Sequence, residues 1–566
     1  MKIPPLTRGL RVAALAVVTL PLWDLGHPLW EVDDARYAEV PREMQASGRL
    51  LVGQLDYMDY IEKPPLIYWL GRASYSVFGV SEAAAHLPTA LTALAGLLGV
   101  WWLGFWLFSP ATGTGGALIL GTCLQYGGLS HLTTPDMAVS VALLWATALI
   151  LRVLRRPEDA PWAAPAAWLA MAAAFLSKGL IGMVLPAAWV GMLAASFPAL
   201  RPGLRRLLLD PGLLLFTGIV GTWVWSMERA VPGFCRVFFL EQHFQRFFEA
   251  AKYNRPGPWW YFLVSDPVGL LPWTPAALAG LFLPLWRRKT ADPRLVQLAL
   301  WPVVVIGFFS ISSSKLLTYI LPAFPFQALL AARFLEDADR PPWLSKWGDG
   351  LSLLCAVAAV GALFTAGIFM SVTNPRMAPL SAGTAGLAAL ALAAMSGAAA
   401  WAARPGGVSS RAAAATLAAS ALCLLGAHEF EPWLSARPIA RAISKRLGEA
   451  GETPVRLVAL DRYLQGVPFY TGRQVDLVNW VGELHYAKRF ERYAARFGDD
   501  RQLLAWPNPG ERVLLTLPKK ELPRVSRLRG GAVKDVEDVG PYVLLELSST
   551  APPAPPPSGA GPKPAP

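Results

Sequence analysis

Residues 83–108 read AAAHLPTALTALAGLLGVWWLGFWLF, without one Asp, Glu, Lys or Arg. An α-helix needs about 20 mostly apolar residues to cross a bilayer, so this stretch is read as a membrane span. The same reading repeats at 10–27, 112–130, 136–152, 162–176, 179–198, 210–226, 260–285, 295–311, 315–333, 350–371, 380–402 and 411–428. The expected membrane domain is therefore all-α and polytopic, with about thirteen transmembrane helices. Pro186, Pro272 and Pro322 interrupt three of them, which neighbouring helices accommodate by re-satisfying the freed backbone groups. Bulk composition agrees: the 566 residues are 54% hydrophobic and 16% charged, against about 25% charged for soluble domains. An ordinary soluble globular protein is excluded.

The first apolar run, Ala13 to Leu25, follows Lys2, Arg8 and Arg11 and meets no small-residue cleavage site before Glu31. It reads as a retained signal anchor. The net charge of +12 resides mainly in short loops between apolar runs, such as Arg152, Arg155 and Arg156, Arg201, Arg205 and Arg206, and Arg287, Arg288, Lys289 and Arg294. Those loops lie on the side of the basic N-terminus, which the positive-inside rule makes cytoplasmic; no nucleic-acid face is implied. Three of the four cysteines (Cys123, Cys355, Cys423) fall inside apolar runs, so neither a zinc site nor a disulfide framework is offered.

The opposite side receives the loop 28–82, the links 131–136 and 177–178, the loop 227–259, the link 312–315 and everything after His428. Residues 1–428 are read as the membrane domain. After His428 the strand-like runs Val455–Leu460, Val475–Val478, Arg512–Leu517 and Tyr542–Leu547 alternate with helical pieces such as Glu483–Phe497. That pattern predicts a small α/β domain over 429–547, and the Pro- and Ala-rich tail 548–566 is expected to be disordered.

The polar clusters gather on the outward side. The first loop carries Glu31-Val-Asp33-Asp34-Ala-Arg36-Tyr37-Ala-Glu39 and later Tyr60-Ile-Glu62-Lys63-Pro64-Pro65. Residues 37–46 have the spacing of an amphipathic helix lying along the membrane surface, and a lysine before Pro-Pro is held extended, a posture suited to gripping a lipid head group. Thr134 and Asp136 suit a helix N-cap, while an acid at the mouth of two spans is also a functional candidate. In the loop 227–259, His243 and Arg246 have i, i+3 spacing, and Arg246 and Arg255 sit among aromatics. Guanidinium forks match phosphate oxygens bidentately. Lys315 and Tyr319 stand four apart at an outward helix start, where a snorkelling lysine is the alternative.

Taken together, Asp33-Asp-Ala-Arg36-Tyr-Ala-Glu39, Glu62-Lys63-Pro-Pro-Leu, Thr134-Pro-Asp136, Ser177-Lys178-Gly179, His243-Phe-Gln-Arg246-Phe and Ser314-Lys315-Leu-Leu-Thr-Tyr319-Ile-Leu-Pro resemble the motifs of the bacterial aminoarabinose transferases. Leu464-Gln-Gly-Val-Pro468-Phe-Tyr470 and Gly482-Glu483-Leu484 resemble that family's periplasmic domain. These enzymes modify lipid A and are similar to protein O-mannosyltransferases within the GT-C superfamily. The resemblance implies a GT-C membrane domain in the bacterial inner membrane, a periplasmic active site, undecaprenyl phosphate as sugar carrier and lipid A as acceptor. It places Asp33 at the reacting centre and Arg36, Lys63, Arg246 and Tyr319 around the carrier phosphate; Asp136 as a second catalytic candidate, and Arg255 and Lys315 at the phosphate, are added here from their own settings. A divalent metal ion is implied at Glu62 and His243, a pair with too few ligands for a closed structural site. One departure is visible: Asp33-Asp34-Ala35-Arg36 stands where the family has Asp-Glu-Thr-Arg. It keeps open a GT-C transferase for another acceptor, protein or glycan. A lipid-linked sugar flippase is the more distant alternative, which would bury ionisable residues at mid-helix.

Overall fold

The computed structural model describes residues 17–158, 161–248, 256–271, 273–287, 292–337, 431–506, 511–528 and 534–547. The expected spans at 350–371, 380–402 and 411–428, most of 10–27, Arg255 and the tail 548–566 lie outside the described residues. Two compact units emerge. The first takes Met1–His27, Val40–Gly53 and Ile61–Phe430; the second takes Pro28–Glu39, Gln54–Tyr60 and Glu431–Pro566. The loop 28–82 is thus divided, and helix α1 (Asp33–Ser47) contributes its first half to the second unit.

The first unit is helical: α2 (Leu66–Phe78), α3 (Glu82–Leu107), α4 (Pro110–Thr122), α5 (Pro135–Arg155), α6 (Ala163–Lys178), α7 (Ile181–Ser196), α8 (Gly212–Ala230), α9 (Tyr261–Gly269), α10 (Thr274–Trp286), α11 (Pro293–Ile311) and α12 (Phe324–Glu336). Four helical stretches among the described residues are long and apolar enough to cross a membrane, or six if each of two bent pairs is one span. The chain is a multi-pass membrane protein. Packing is close where glycines meet: a Cβ on Gly104 would lie 2.7 Å from Gly113 Cα, and one on Gly113 would lie 2.4 Å from the Trp101 carbonyl. Small residues at such crossings let backbones touch in a medium that offers no hydrophobic drive between helices.

Several spans are less regular than the apolar runs suggest. The run 260–285 breaks into α9 and α10, bent by 119°. Pro267 lies within α9, and polar side chains knit the bend: Trp273 donates to Thr122 Oγ1 at 2.8 Å, Thr274 to the Pro267 carbonyl, and Gln327 to Asp266 Oδ2 at 2.8 Å. Backbone freed by a proline is tolerated at membrane depth only with such partners. The run 315–333 starts as a 3-10 turn, Leu317–Ala323, before α12.

The second unit contains a six-stranded mixed sheet. With the hairpin strands β1 (Gly53–Leu55) and β2 (Met58–Tyr60) counted first, its members are β3 (Val455–Leu460), β4 (Asp476–Val478), β5 (Phe497–Gly498), β6 (Arg512–Pro518), β7 (Lys534–Val539) and β8 (Tyr542–Leu547), in the order β5-β4-β3-β6-β8-β7. β3 is parallel to β4 and β6, while β8 runs antiparallel to β6 and β7. Val458, Leu460, Val478, Leu515, Val543 and Leu545 are fully buried in its core. Two expectations fail here. Residues 483–497 form 3-10 turns rather than a helix, and α1 is not a surface helix, since Asp34 to Val40, Glu43 and Met44 are all buried.

The β1–β2 hairpin turns on Asp56 (φ 54°) and Tyr57 (φ 59°), the doubly left-handed turn that matches strand twist. Asp56 is completely buried. It accepts the Val475 N–H at 2.8 Å and pairs with Arg496 at 2.9 Å, and Arg496 also grips Asp476 at 2.6 Å. Burial pushes the Asp56 carboxyl up to about 7 against the opposing pull of Arg496. Removing one partner of a buried pair strands the others, at a cost of about 3–5 kcal/mol. Arg496→Ala is therefore expected to lower the unfolding midpoint of the detergent-solubilised protein by several degrees; an unchanged midpoint would contradict the lock.

Candidate active site

Helix α6 ends at Lys178, and Gly179 follows with φ +76°, a backbone region in which only glycine is unstrained. The negative end of a helix favours a cation there. The Lys178 ammonium is paired with Asp136, in the first turn of α5, and lies 4.5 Å from the centre of the Tyr319 ring. Both partners are largely buried, with side chains 14% and 9% exposed. Thr134 opens α5 but makes no capping bond. Capping therefore does not account for the Thr-Pro-Asp motif, and Asp136 instead holds a lysine.

His243 stands behind Lys178. The Leu180 N–H donates to its Nε2 at 3.2 Å, and its Nδ1–H donates to the Phe238 carbonyl at 2.6 Å. A Cβ on Gly179 would lie 2.2 Å from that Nε2, so glycine is required for space as well as for φ. Phe238 packs edge-on to the imidazole at 4.7 Å, within a cluster that includes Phe234 and Trp223. Burial is the main cause that lowers the His243 pKa to about 4, and the charges of Lys63 and Arg246 press it further down. The imidazole is neutral while cations converge on it.

Residues 236–245 form a π-helix. That wider turn removes the expected i, i+3 face: His243 bonds five residues back to Phe238, and Arg246 bonds four residues back to Gln242 Oε1 at 3.1 Å. Lys63 precedes Pro64 and Pro65, and Pro65 caps α2. Lys63 and Arg246 lie within electrostatic reach of the neutral His243, whose Nε2 accepts the amide two residues past Lys178, and Lys178 holds Asp136 and Tyr319, so these residues gather as one cationic cluster in the first unit. Lys178 is missing from the sequence-based set, although it lies in the quoted Ser-Lys-Gly motif; a lysine closing an apolar run before glycine is the signal that marks it.

Two expected members fall away. The Lys315 ammonium donates to the carbonyls of Phe309 at 2.9 Å, Ser310 at 2.8 Å and Ser312, closing the C-terminus of α11, and Gly257 crowds its stem. Its donors are engaged, so it is a helix cap rather than a phosphate ligand. The metal pair fares no better: the Nε2 lone pair of His243 is taken by the Leu180 amide and Nδ1 by Phe238, which leaves the imidazole no donor for an ion. With Glu62 the one ligand left, the pair does not fit a metal. Arg255 lies outside the described residues.

Asp33 and Arg36 belong to the second unit. Arg36, almost fully buried, pairs with Asp33 and with Glu483 at 2.6 Å. The surrounding Tyr60, Asp33, Tyr37 and Glu483 hold it protonated well above its ordinary range despite burial. Asp33 keeps 36% of its side chain exposed. Asp34 Oδ2 accepts the Trp30 N–H at 2.9 Å, which makes it a cap for the start of α1. Glu483 lies in a motif quoted from the sequence, but only the fold shows that it partners Arg36.

A family model for dolichyl-phosphate-mannose-protein mannosyltransferases matches residues 62–226. An undecaprenyl phosphate-alpha-4-amino-4-deoxy-L-arabinose arabinosyl transferase of Sodalis glossinidius is 32% identical over 354 residues, 60% of this chain and 62% of that protein. The Aeromonas salmonicida transferase of the same name is 31% identical, over 59% of this chain and 62% of its own length. The chain spans somewhat less than two thirds of the length of these curated relatives. Among solved structures, ArnT from Cupriavidus metallidurans bound to undecaprenyl phosphate superposes with a TM-score of 0.79 at 25% identity, covering 96% of this chain and 98% of that one.

The neutral histidine makes a pH prediction. Its folded pKa, about 4, lies below the ordinary 6.5, so between those values the unfolded chain holds more protons and stability rises with pH. The unfolding midpoint is expected to fall as pH drops from 6.5 towards 4.5, and to fall less in His243→Gln. Equal slopes in both proteins would refute the assignment.

Proposed function

We propose, from the premise that this chain is a homologue of the undecaprenyl phosphate aminoarabinose transferases, that it is an inner-membrane glycosyltransferase moving an aminoarabinose-like sugar from undecaprenyl phosphate to lipid A on the periplasmic face. The observation that carries this reading is the cluster of Lys63, Lys178 and Arg246 around a neutral His243, with Asp136 and Tyr319 fixing Lys178. In this reading the membrane domain has about thirteen spans, of which nine candidates coincide with described helices, and the α/β unit after Glu431 is periplasmic.

The chemistry we assign is one displacement at the anomeric carbon, with inversion. The acceptor oxygen forms the new bond as the sugar–phosphate bond breaks, and the electron pair leaves on the carrier phosphate. Negative charge grows on that phosphate, so cations already aimed at it lower the barrier without rearranging. Tyr319 lies beneath Lys178, and Asp136 keeps the ammonium from turning away. A lipid A phosphate is already anionic and attacks without a base. A hydroxyl acceptor would require Asp33 or Asp136 to take the proton.

The Asp-Asp-Ala-Arg departure does not favour another acceptor. Asp34 caps the Trp30 amide and Ala35 is fully buried, so the changed positions serve the start of α1 rather than a substrate. The buried carboxylate Asp266, which a flippase reading would claim, is tied to Gln327 at the α9–α10 bend.

Two measurements test the proposal. Mass spectrometry of lipid A from cells with and without the protein is expected to show one added sugar that depends on it; sugar appearing only on protein would exclude the lipid A reading. Lys63→Ala and Lys178→Ala are each expected to slow transfer by about 10²–10³-fold, the scale for losing one preorganised donor.

A further inference from the structure

At the end of the first unit that carries the arginine-rich loops, a cavity of about 190 Å³ opens between α10, α11 and α12, lined by Leu283, Pro284, Arg287, Asp292, Leu295, Arg333 and Asp337. That is room for a phosphate ester. Its acids are matched: Arg287 pairs with Asp337 at 2.8 Å and Arg294 with Asp292 at 2.6 Å. Arg333 makes no ion pair among the described residues. Behind it Arg155, bonded to Gln297 at 2.8 Å, adds positive charge within electrostatic reach of Arg294 and Asp292. With Arg294, which stands outside the lining, matched to Asp292, the excess positive charge at the cavity falls on Arg333.

The surroundings say what kind of phosphate. On the same end of α10, Phe282, Leu285 and Trp286 are 56–62% exposed, alternating with Leu283, Pro284 and Arg287, which line the cavity. One side of this helix therefore presents apolar surface suited to acyl chains, and Trp286 is of the type that settles at head-group level. Basic pockets between membrane helices on the cytoplasmic side suit anionic lipid head groups, and an arginine fork suits phosphate oxygens.

We propose that this cavity binds the phosphodiester head group of an anionic phospholipid, with Arg333 as the principal donor, Arg287 beside it and the acyl chains along Phe282 and Leu285. The site is separate from the Lys63–Lys178–Arg246 cluster and does not depend on what that cluster transfers.

The test uses the full chain in detergent, with the unfolding midpoint read against added phosphatidylglycerol, phosphatidylcholine or soluble glycerol phosphate. Phosphatidylglycerol is expected to stabilise the protein, and Arg333→Gln to need about ten-fold more lipid for the same shift, as loss of a charge-assisted bond predicts. Arg205→Ala, at an exposed arginine of the helix Arg201–Leu208, should respond like the wild type. Native mass spectrometry should show fewer retained phosphatidylglycerol molecules in Arg333→Gln, a readout that stands even if the variant melts lower without lipid. An unchanged lipid requirement in Arg333→Gln, equal stabilisation by phosphatidylcholine, or a soluble phosphate ester matching the lipid would each overturn the proposal.

Discussion

Three cations cannot be drawn together at the edge of a membrane unless something keeps them charged and in place. Like charges repel more strongly as the dielectric falls, and a lysine on a long stem turns towards water when it can. The Asp136–Lys178 pair resolves the conflict at its centre. It joins the first turn of α5 to the last residue of α6, so each helix end supplies a charge that its own dipole favours. The Tyr319 ring holds the ammonium from below. Gly179, directly after Lys178, lies against the His243 imidazole, which the π-turn in 236–245 carries, so the ring packs at the end of the helix that supplies the lysine.

A neutral histidine completes the arrangement. Had His243 been charged, the cluster would carry a further cation with no added acid. Burial against Phe238 and the amide of Leu180 set its tautomer and keep it uncharged. The same two bonds explain why a metal reading fails: a residue whose nitrogens already serve the fold cannot serve an ion. Lys315 shows the principle again, since its ammonium is engaged by the end of α11.

Much of this was legible in the chain. Apolar runs located the helices because a bilayer permits few other solutions, and β3, β6 and β8 fall on alternating or continuous apolar stretches. Other features were hidden for physical reasons. The edge strand β7 reads Lys-Asp-Val-Glu-Asp-Val, a charged pattern that protects an edge and conceals a strand. The α9–α10 bend depends on Asp266, Thr122 and Gln327, distant in sequence. Residues 37–46 have amphipathic spacing, yet Tyr37 to Val40, Glu43 and Met44 are all buried, an outcome that tertiary packing decides and local spacing does not. Local pattern could name Lys63, Asp136 and Arg246 and, through the lysine that closes an apolar run before glycine, Lys178; only tertiary contact could show that Lys178 pairs with Asp136 and that the Lys315 donors are engaged.

The central claim is that the cluster exists to hold a phosphate. It is tested most directly by comparing the affinity of the purified protein for undecaprenyl phosphate and for undecaprenol, which lacks the phosphate. The account predicts a strong preference for the phosphate, lost in Lys178→Gln and largely lost in Lys63→Gln while undecaprenol binding is unchanged. Equal affinity for the two lipids in the unaltered protein would contradict it.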